Sequence, residues 1–467
     1  MKQIIYILLL FPFVLIGQND PVSVLTFQDF MERVEEHHPL SIQANLKIEE
    51  GEAKLRKARG NFDPKAYSDV SQKYFTDKQY YNVSNSGLKI PTWYGLDFSG
   101  GYTQNDGVFL NPENNTPAAG LWNAGVSLSV GQGLFIDKRR AELKQAKIYI
   151  KSSVAERELL YNNLLYEAGQ AYWGWFESYN SVLIYESALE VAQQRYQSVK
   201  QGALLGDKPF IDTVEASIQV QNRMITLQEA ELNYENASAL LSVYMWMEGL
   251  VPLELAPETR PNFSNEIEPV EADVDLRLNL DSVSITHPML RAYQYKIEQL
   301  EVDRKWKQEQ IKPQLNLKYN AINKPVGNNA FDGYNINNYT WGVEFSMPIF
   351  LRKERGSLEL AKLKINEAEL ELTSKEAAIT YKARAALNVL LNTKRQLTIY
   401  ERTVKDNARL LDGERKMFNA GESSLFMVNS RESGYIKTQL KYVQLLAKNH
   451  KALLTADYTL GLLPRKK

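Results

Sequence analysis

Hydrophobic and polar positions alternate along three stretches of the chain. In the first, Trp122, Ala124, Val126, Leu128 and Val130 stand against Asn123, Gly125, Ser127 and Ser129. In the second, Leu315, Leu317, Tyr319 and Ala321 share one side, with Asn316, Lys318 and Asn320 on the other. In the third, Tyr339, Trp341, Val343, Phe345 and Met347 alternate with Thr340, Gly342, Glu344 and Ser346. A period of two places each set on one face of a β-strand. Strands of about ten residues, apolar on one face and small or polar on the other, fit a membrane barrel with a wet lumen. An ordinary half-buried sheet fits the same alternation. Residues 80–103 carry further extended sequence around two turn signals, Lys89-Ile-Pro-Thr92 and Gly100-Gly101, so the first half has room for an extra hairpin. Residues 105–120 and 323–338, rich in Asn and Gly, read as exposed loops.

Elsewhere the period lengthens. Residues 138–201 contain no proline and predict one helix almost 100 Å long, at about 1.5 Å per residue. Ala168, Trp175, Val182, Leu189 and Tyr196 recur every seven residues, and Ala171, Tyr185, Ala192 and Val199 fill much of the offset set. In the second half Ala383, Leu390, Leu397, Val404, Leu411 and Phe418 do the same. Such spacing keeps a seam turned towards a neighbouring helix. A filamentous coiled coil shares the heptads but not the alternating strands. Shorter helices are expected over residues 26–36 and from Pro39 to about Gly60, with His38-Pro39 as the break between them. Pro64 and Pro313 end helices and begin extended segments.

These elements occur twice. Residues 38–64 align with 287–313 without a gap, with seven of 27 positions identical, among them His38/His287, Pro39/Pro288 and Pro64/Pro313. Further on, Gly125-Val-Ser-Leu-Ser-Val130 matches Gly342-Val-Glu-Phe-Ser-Met347. Phe135, Arg139 and Ala146-Lys147 match Phe350, Glu354 and Ala361-Lys362, and Gln201-Gly202 matches Ala420-Gly421. Each half reads helix, strands, very long helix, turn, helix. The chain therefore divides into residues 1–17, a leader; 18–248, a first repeat with strands over about 64–131 and a long hairpin over about 138–248; 249–282, a linker rich in Pro, Glu and Asn; and 283–467, a second repeat with strands over about 313–348 and a hairpin over about 353–460.

The leader changes where this fold is expected. Lys2 precedes an apolar run from Ile4 to Ile16, too short for a comfortable transmembrane helix and typical of a signal peptide. No later apolar run approaches the roughly 20 residues a spanning helix needs, so entry into a membrane requires a closed β-barrel. The 55 Lys and Arg against 56 Asp and Glu argue against broad nucleic-acid binding. The absence of cysteine excludes disulfides, thiolate nucleophiles and Cys-based zinc sites. The four histidines, His37, His38, His287 and His450, form no metal motif, and His38 and His287 read as capping or turn residues. No phosphate loop or local catalytic motif is present. The carboxylates lie mostly on helical faces with Lys and Arg, read as solvated surface. An enzyme is not expected, nor a cofactor. The basic clusters Lys138-Arg139-Arg140 and Arg352-Lys353-Glu354-Arg355 follow the strands in equivalent places, as lipid-facing charges or as solvated helix starts.

Leader, duplicated helix–strand–long-helix units and two hairpin turns together resemble the TolC-like outer-membrane efflux proteins, over nearly all of the mature chain. The resemblance rests on the paired prolines, on the strand-to-helix segments Gly133-Leu-Phe-Ile-Asp-Lys-Arg-Arg140 and Ile349-Phe-Leu-Arg-Lys-Glu-Arg355, on the helical tips, and on the closing Asp457-Tyr-Thr-Leu-Gly-Leu462. Gly206, Asp212 and Ala216 fit the family's first tip. The resemblance implies a mostly α, α+β chain, in which the duplicated unit forms one third of a trimeric membrane β-barrel and of a periplasmic α-helical barrel, with residues 249–282 as an equatorial belt. It implies an exit duct in the outer membrane of a Gram-negative bacterium, serving tripartite efflux or type I secretion. A periplasmic adaptor and an inner-membrane transporter are then the partners, with outer-membrane lipid around the barrel. Trp122, Trp341, Val343 and Phe345 are expected to face that lipid, and Glu344 the lumen, where three copies predict a modest cation preference. The turns of Gly202, Leu204 and Gly206, and of Gly421 and Ser423, are expected to dock the adaptor. In the family's second tip an Asp lies six residues after the turn glycine and another three later; here those places hold Met427 and Ser430. The expected aperture is therefore apolar, of Met427 and Phe426, with Asp212 on the other hairpin. An adaptor and a structural envelope coiled coil are the alternatives; an adaptor usually carries one hairpin between β-rich modules, not two with amphipathic strands.

Overall fold

A computed structural model describes residues 23–270, 287–324 and 332–463. The expected leader, residues 271–282 of the expected linker and residues 325–331 of the second loop lie outside the described residues. Helix α1 (Phe27–His37) starts where the Thr26 hydroxyl accepts the Asp29 amide at 3.2 Å. It buries Phe30 and Val34. His38 ends it, its ring stacked on Tyr244 at 5.9 Å, and Pro39, which has no N–H to satisfy, opens α2 (Pro39–Arg59). The second repeat uses the histidine differently. His287 is the N-cap of α5 (Pro288–Glu309), with Nδ1 accepting the Met289 amide at 3.1 Å.

The first repeat supplies four strands: β1 (Lys65–Phe75), β2 (Lys78–Pro91), β3 (Leu96–Asp106) and β4 (Leu121–Ser129). A two-residue pair, β5 (Trp246–Met247) and β6 (Val251–Pro252), follows the first long hairpin. The second repeat adds β7 (Gln314–Asn323) and β8 (Tyr339–Ser346). One antiparallel sheet joins six of these in the order β1-β2-β3-β4-β7-β8. The extra hairpin is thus present, and the sheet has six strands where the alternating stretches alone number three. Of the two turn signals, Lys89-Ile-Pro-Thr92 leads into the β2–β3 turn and the other does not mark a turn. Gly100 and Gly101 lie inside β3, paired with Leu88 and Gly87 of β2. The β1–β2 turn is made by Thr76 and Asp77, both at positive φ, as a tight hairpin turn requires.

Two very long helices follow the sheet: α3 (Lys138–Leu204), 67 residues, and α6 (Arg352–Asn419), 68 residues. Each is followed by a second helix, α4 (Phe210–Ser242) and α7 (Leu425–Leu460). The chain groups into two compact units, each drawing on both repeats. One comprises residues 39–164, 273–387 and 455–467 and holds the sheet; the other comprises residues 1–38, 165–272 and 388–454. In the second unit part of the heptad seam is buried, with Ala168, Trp175, Ala192, Val199, Leu390, Leu397 and Leu411 at most 4% exposed, while Val182, Leu189, Tyr196, Val404 and Phe418 are half-buried. Full burial contributes about 1.5–3 kcal/mol for each large apolar side chain. Around Trp175 pack Phe30, Tyr172 and Phe176, and beside them Trp173 stacks on His450 at 3.9 Å. Burial there holds the His450 ring near a pKa of about 4, so it sits neutral as a packed aromatic.

Candidate functional site

Paired residues in an antiparallel ladder point to the same side, so the register fixes the composition of both sheet faces. On one face Asp97, Ser127, Lys318 and Gly342 form a row, followed by Lys65, Lys89, Ser99, Gly125, Asn320 and Thr340. The next row is Tyr67, Gly87, Gly101, Asn123 and Ile322. On the other face Leu96, Leu128, Leu317 and Val343 are followed by Ile90, Phe98, Val126, Tyr319 and Trp341. Beyond them lie Leu88, Gly100, Ala124, Ala321 and Tyr339, and then Tyr102 with Trp122. Trp122, Trp341, Val343 and Phe345, expected to share a face, do so, and all four are exposed in the single chain. Glu344 is on the polar face. It is paired with Lys318 at 3.3 Å, both side chains being exposed.

All four strand–helix junctions lie at one end of the sheet, since β1 and β7 follow helices and β4 and β8 lead into them. At this end Trp93, Tyr94, Phe135, Ile349 and Phe350 are each more than 60% exposed. At the other end of the apolar band Tyr102 packs on Trp122 at 5.0 Å, and within the band Tyr319 stacks on Tyr339 at 5.7 Å. From Trp122 to Val130 is about 26 Å along a strand at 3.3 Å per residue. The first cluster after the strands is not simply solvated: Arg139 pairs with Asp97 at 3.1 Å and Asp137 at 3.2 Å, and Arg140 with Asp137 at 3.3 Å; in the second, Arg352, Lys353 and Arg355 are exposed.

The hairpin turns are built alike. In the first, the Gly206 amide donates to Ala203 and the Asp207 amide to Gly202 at 2.9 Å; in the second, Gly421 donates to Phe418 and Glu422 to Met417 at 2.9 Å. Gly206 and Gly421 stand at φ +82° and +78°, the left-handed step that ends a helix in this motif. The structural partner of Gly421 is therefore Gly206, not Gly202, which is the last-turn residue of α3. With that register, Asp212 and Met427 hold equivalent places, six residues after each turn glycine. Leu204, Leu205, Phe210, Ile211 and Phe426 are at least two-thirds exposed, Met427 and Asp212 are half-buried, and Ser430 is exposed.

Behind the turns, Val199, Ala216 and Leu425 form a small apolar cluster with Tyr196 and Phe418. Lys208 of the first turn lies over the Phe418 ring at 3.7 Å. Next to it is a polar network that sequence reasoning missed. Arg195 of α3 pairs with Glu432 of α7 and donates to Asn429 at 2.8 Å. Asn429 donates in turn to Glu215 of α4 at 2.9 Å. Glu414 of α6 accepts from Ser423 and pairs with Arg431 at 3.4 Å. Glu414, Asn429 and Glu432 are buried, so these charges are not the solvated surface the helical pattern suggested. No sequence signal distinguishes them from the exposed i,i+4 pairs around them.

Among the described residues no cluster of His, Asp and Glu could hold a metal, and no helix is long and apolar enough to cross a membrane. The long hairpins and the two-faced sheet make a fold that several solved structures share. Its fold matches the CmeC outer membrane channel of Campylobacter jejuni with a TM-score of 0.67 at 14% identity, over 93% of this chain and 85% of that one. The MtrE outer membrane channel of Neisseria gonorrhoeae matches with a TM-score of 0.67 at 14% identity, over 93% and 88%. The outer membrane protein VceC of Vibrio cholerae matches with a TM-score of 0.64 at 14% identity, over 93% and 95%. A search of curated protein sequences finds no match. Residues 280–460 match the family model described as outer membrane efflux protein.

Proposed function

We propose that the chain is one of three protomers of an outer-membrane exit duct, a passive conduit opened by an inner-membrane pump and a periplasmic adaptor. The six-stranded sheet carries this reading. Its apolar face ends on exposed aromatics at the junction end and on the Tyr102–Trp122 pair at the other, as at the two interfaces of a membrane barrel. Its edges, β1 and β8, are unpaired within the described chain, and open edges are not tolerated in lipid. Six strands fall short of the roughly eight a barrel needs, whereas three chains supply eighteen, enough for an aqueous channel. The long hairpins support assembly too. Ile211, Ile218, Ile225 and Leu232 recur every seven residues on α4 and are exposed in the single chain, a seam suited to a neighbouring copy.

In this reading Trp122, Trp341, Val343 and Phe345 face lipid. The turns of Leu204, Gly206, Gly421 and Ser423 meet the adaptor, with Gly202 shaping the helix end behind the first. Phe426 and Met427 from three chains narrow the closed aperture, and Ser430 and Asp212 flank it. An apolar ring resists ions by dewetting, not by charge. The test is threefold: flotation with outer-membrane fractions, heat-sensitive migration of a trimer on gels, and conductance in a planar bilayer. A protein that fractionates as soluble periplasmic material and gives no conductance is not this duct.

A further inference from the structure

We infer that the barrel segment of the duct favours anionic solutes, through a ring of unpaired lysines, Lys65 and Lys89, on the polar face of the sheet; the inference rests on the reading of that face as the lumen. Two cations beside this face at the junction end have carboxylate partners. Arg139 is taken up by Asp97 and Asp137, and Lys318 by Glu344. Lys65 and Lys89 remain. They stand directly opposite each other in the β1–β2 ladder, both exposed, and no carboxylate pairs with either among the described residues. Lys89 has only the Tyr67 ring, 5.3 Å away. Like charges directly opposite across a ladder destabilise it, so this pair is a point of uncompensated positive potential. Asp69 and Lys73, the other charges of this face of β1, are of opposite sign and lie further from the junctions.

The neighbours add donors. Ser99 is the ladder partner of Lys89, and two strands on Asn320 leans across Gly125, where a side chain would collide with its amide oxygen. A cavity whose lining includes Lys65, Lys89, Ser99, Arg139 and Lys318, with Asp97 as its one carboxylate, opens beside them. Three chains would place six unpaired ammonium groups at one level of a water-filled pore with low-dielectric walls, an arrangement that concentrates counter-ions.

The absence of cysteine makes the test direct, because one introduced thiol is the only one. Ser99→Cys is treated, in purified trimers in lipid vesicles, with an anionic ethylsulfonate and a cationic trimethylammonium methanethiosulfonate. The anionic reagent is expected to react faster. The ratio of the two rates should fall about five- to tenfold when Lys65→Gln and Lys89→Gln are added, two charges within a Debye length being removed. Tyr319→Cys, on the other face, should react with neither. If Ser99→Cys reacts without charge preference, or with a preference the glutamines leave unchanged, the ring does not exist although the lumen does. If Tyr319→Cys reacts and Ser99→Cys does not, the faces are inverted and both the inference and the reading beneath it fall.

Discussion

Gly206 and Gly421 occupy the same place in two turns of the same geometry, yet six residues later stands Asp212 in one and Met427 in the other. The repeats differ likewise in their sheets. The first inserts a hairpin and supplies four strands; the second supplies two. In both comparisons the backbone device is kept where it joins elements, and the chemistry varies where nothing in the backbone requires it. A left-handed glycine closes each hairpin, and a proline starts each strand set. What the hairpins carry is specific to each, and they are then tied together by side chains belonging to neither motif.

The strongest of those ties is the one whose loss should cost most. Arg195 reaches from the first hairpin into the second, onto buried Glu432 and Asn429. Arg195→Ala leaves a buried carboxylate with only Arg415, 3.8 Å away. Breaking a buried pair costs about 3–5 kcal/mol, whereas replacing both members by apolar residues is often near neutral. Thermal unfolding of the purified protein should therefore show a large loss for Arg195→Ala, mostly recovered in Arg195→Met with Glu432→Leu. An unchanged midpoint for the single variant would mean the hairpins are joined by their apolar cluster alone.

The sheet offers the next largest effect, because its two faces make opposite demands on one substitution. Phe345→Arg near the membrane should cost roughly 2–4 kcal/mol and impair trimer insertion. Ser346→Arg, its neighbour on the polar face, should insert normally. Normal assembly of the first variant with failure of the second would reverse the facing.

These residues also show what the sequence made legible. β4, β7 and β8 were readable because one face is apolar and the other is not. β1 and β2 were not, because Ser68, Ser84, Ser86 and Asn82 make both of their faces polar towards the β1–β2 turn. The repeat disclosed two turns but misassigned the first glycine, since nothing in Gly202-Ala-Leu-Leu-Gly206 says which residue turns left-handed. Arg195, Glu414 and Glu432 look like any heptad charges until four helices close around them. Lys65 and Lys89 lie 24 positions apart, and only the register makes them opposite.

Exchanging the residues that differ between the tips tests whether that difference is functional. Met427→Asp should create block by trivalent cations from the periplasmic side, about tenfold tighter than in the unmodified channel, or ~1.4 kcal/mol. Three carboxylates replace an apolar ring, so the block should weaken with salt. Met427→Ala should raise resting conductance. Potent block of the unmodified channel, lost in Asp212→Asn, would place the aperture on the first hairpin.

The smallest effect separates the three turn glycines, and it does so by sign. Gly206 and Gly421 are left-handed, and a methyl at either would meet nothing within 4 Å. Their cost on substitution is therefore backbone strain alone, about 1–2 kcal/mol for alanine. It should be smaller for Gly421→Asn, since asparagine tolerates this conformation. Gly202 has no such conformation. It lies inside the last turn of α3, where alanine is favoured over glycine by about 0.5–1 kcal/mol. A methyl there meets only the flexible Lys208 side chain, at 3.3 Å. Gly202→Ala should thus raise the thermal midpoint slightly or leave it alone, while Gly206→Ala and Gly421→Ala lower it by a few degrees. If Gly202→Ala proved the most damaging of the three, the Lys208 stem over Phe418 would be packed too tightly to yield, and the tie between hairpins at the turns would run through that lysine rather than through the glycines.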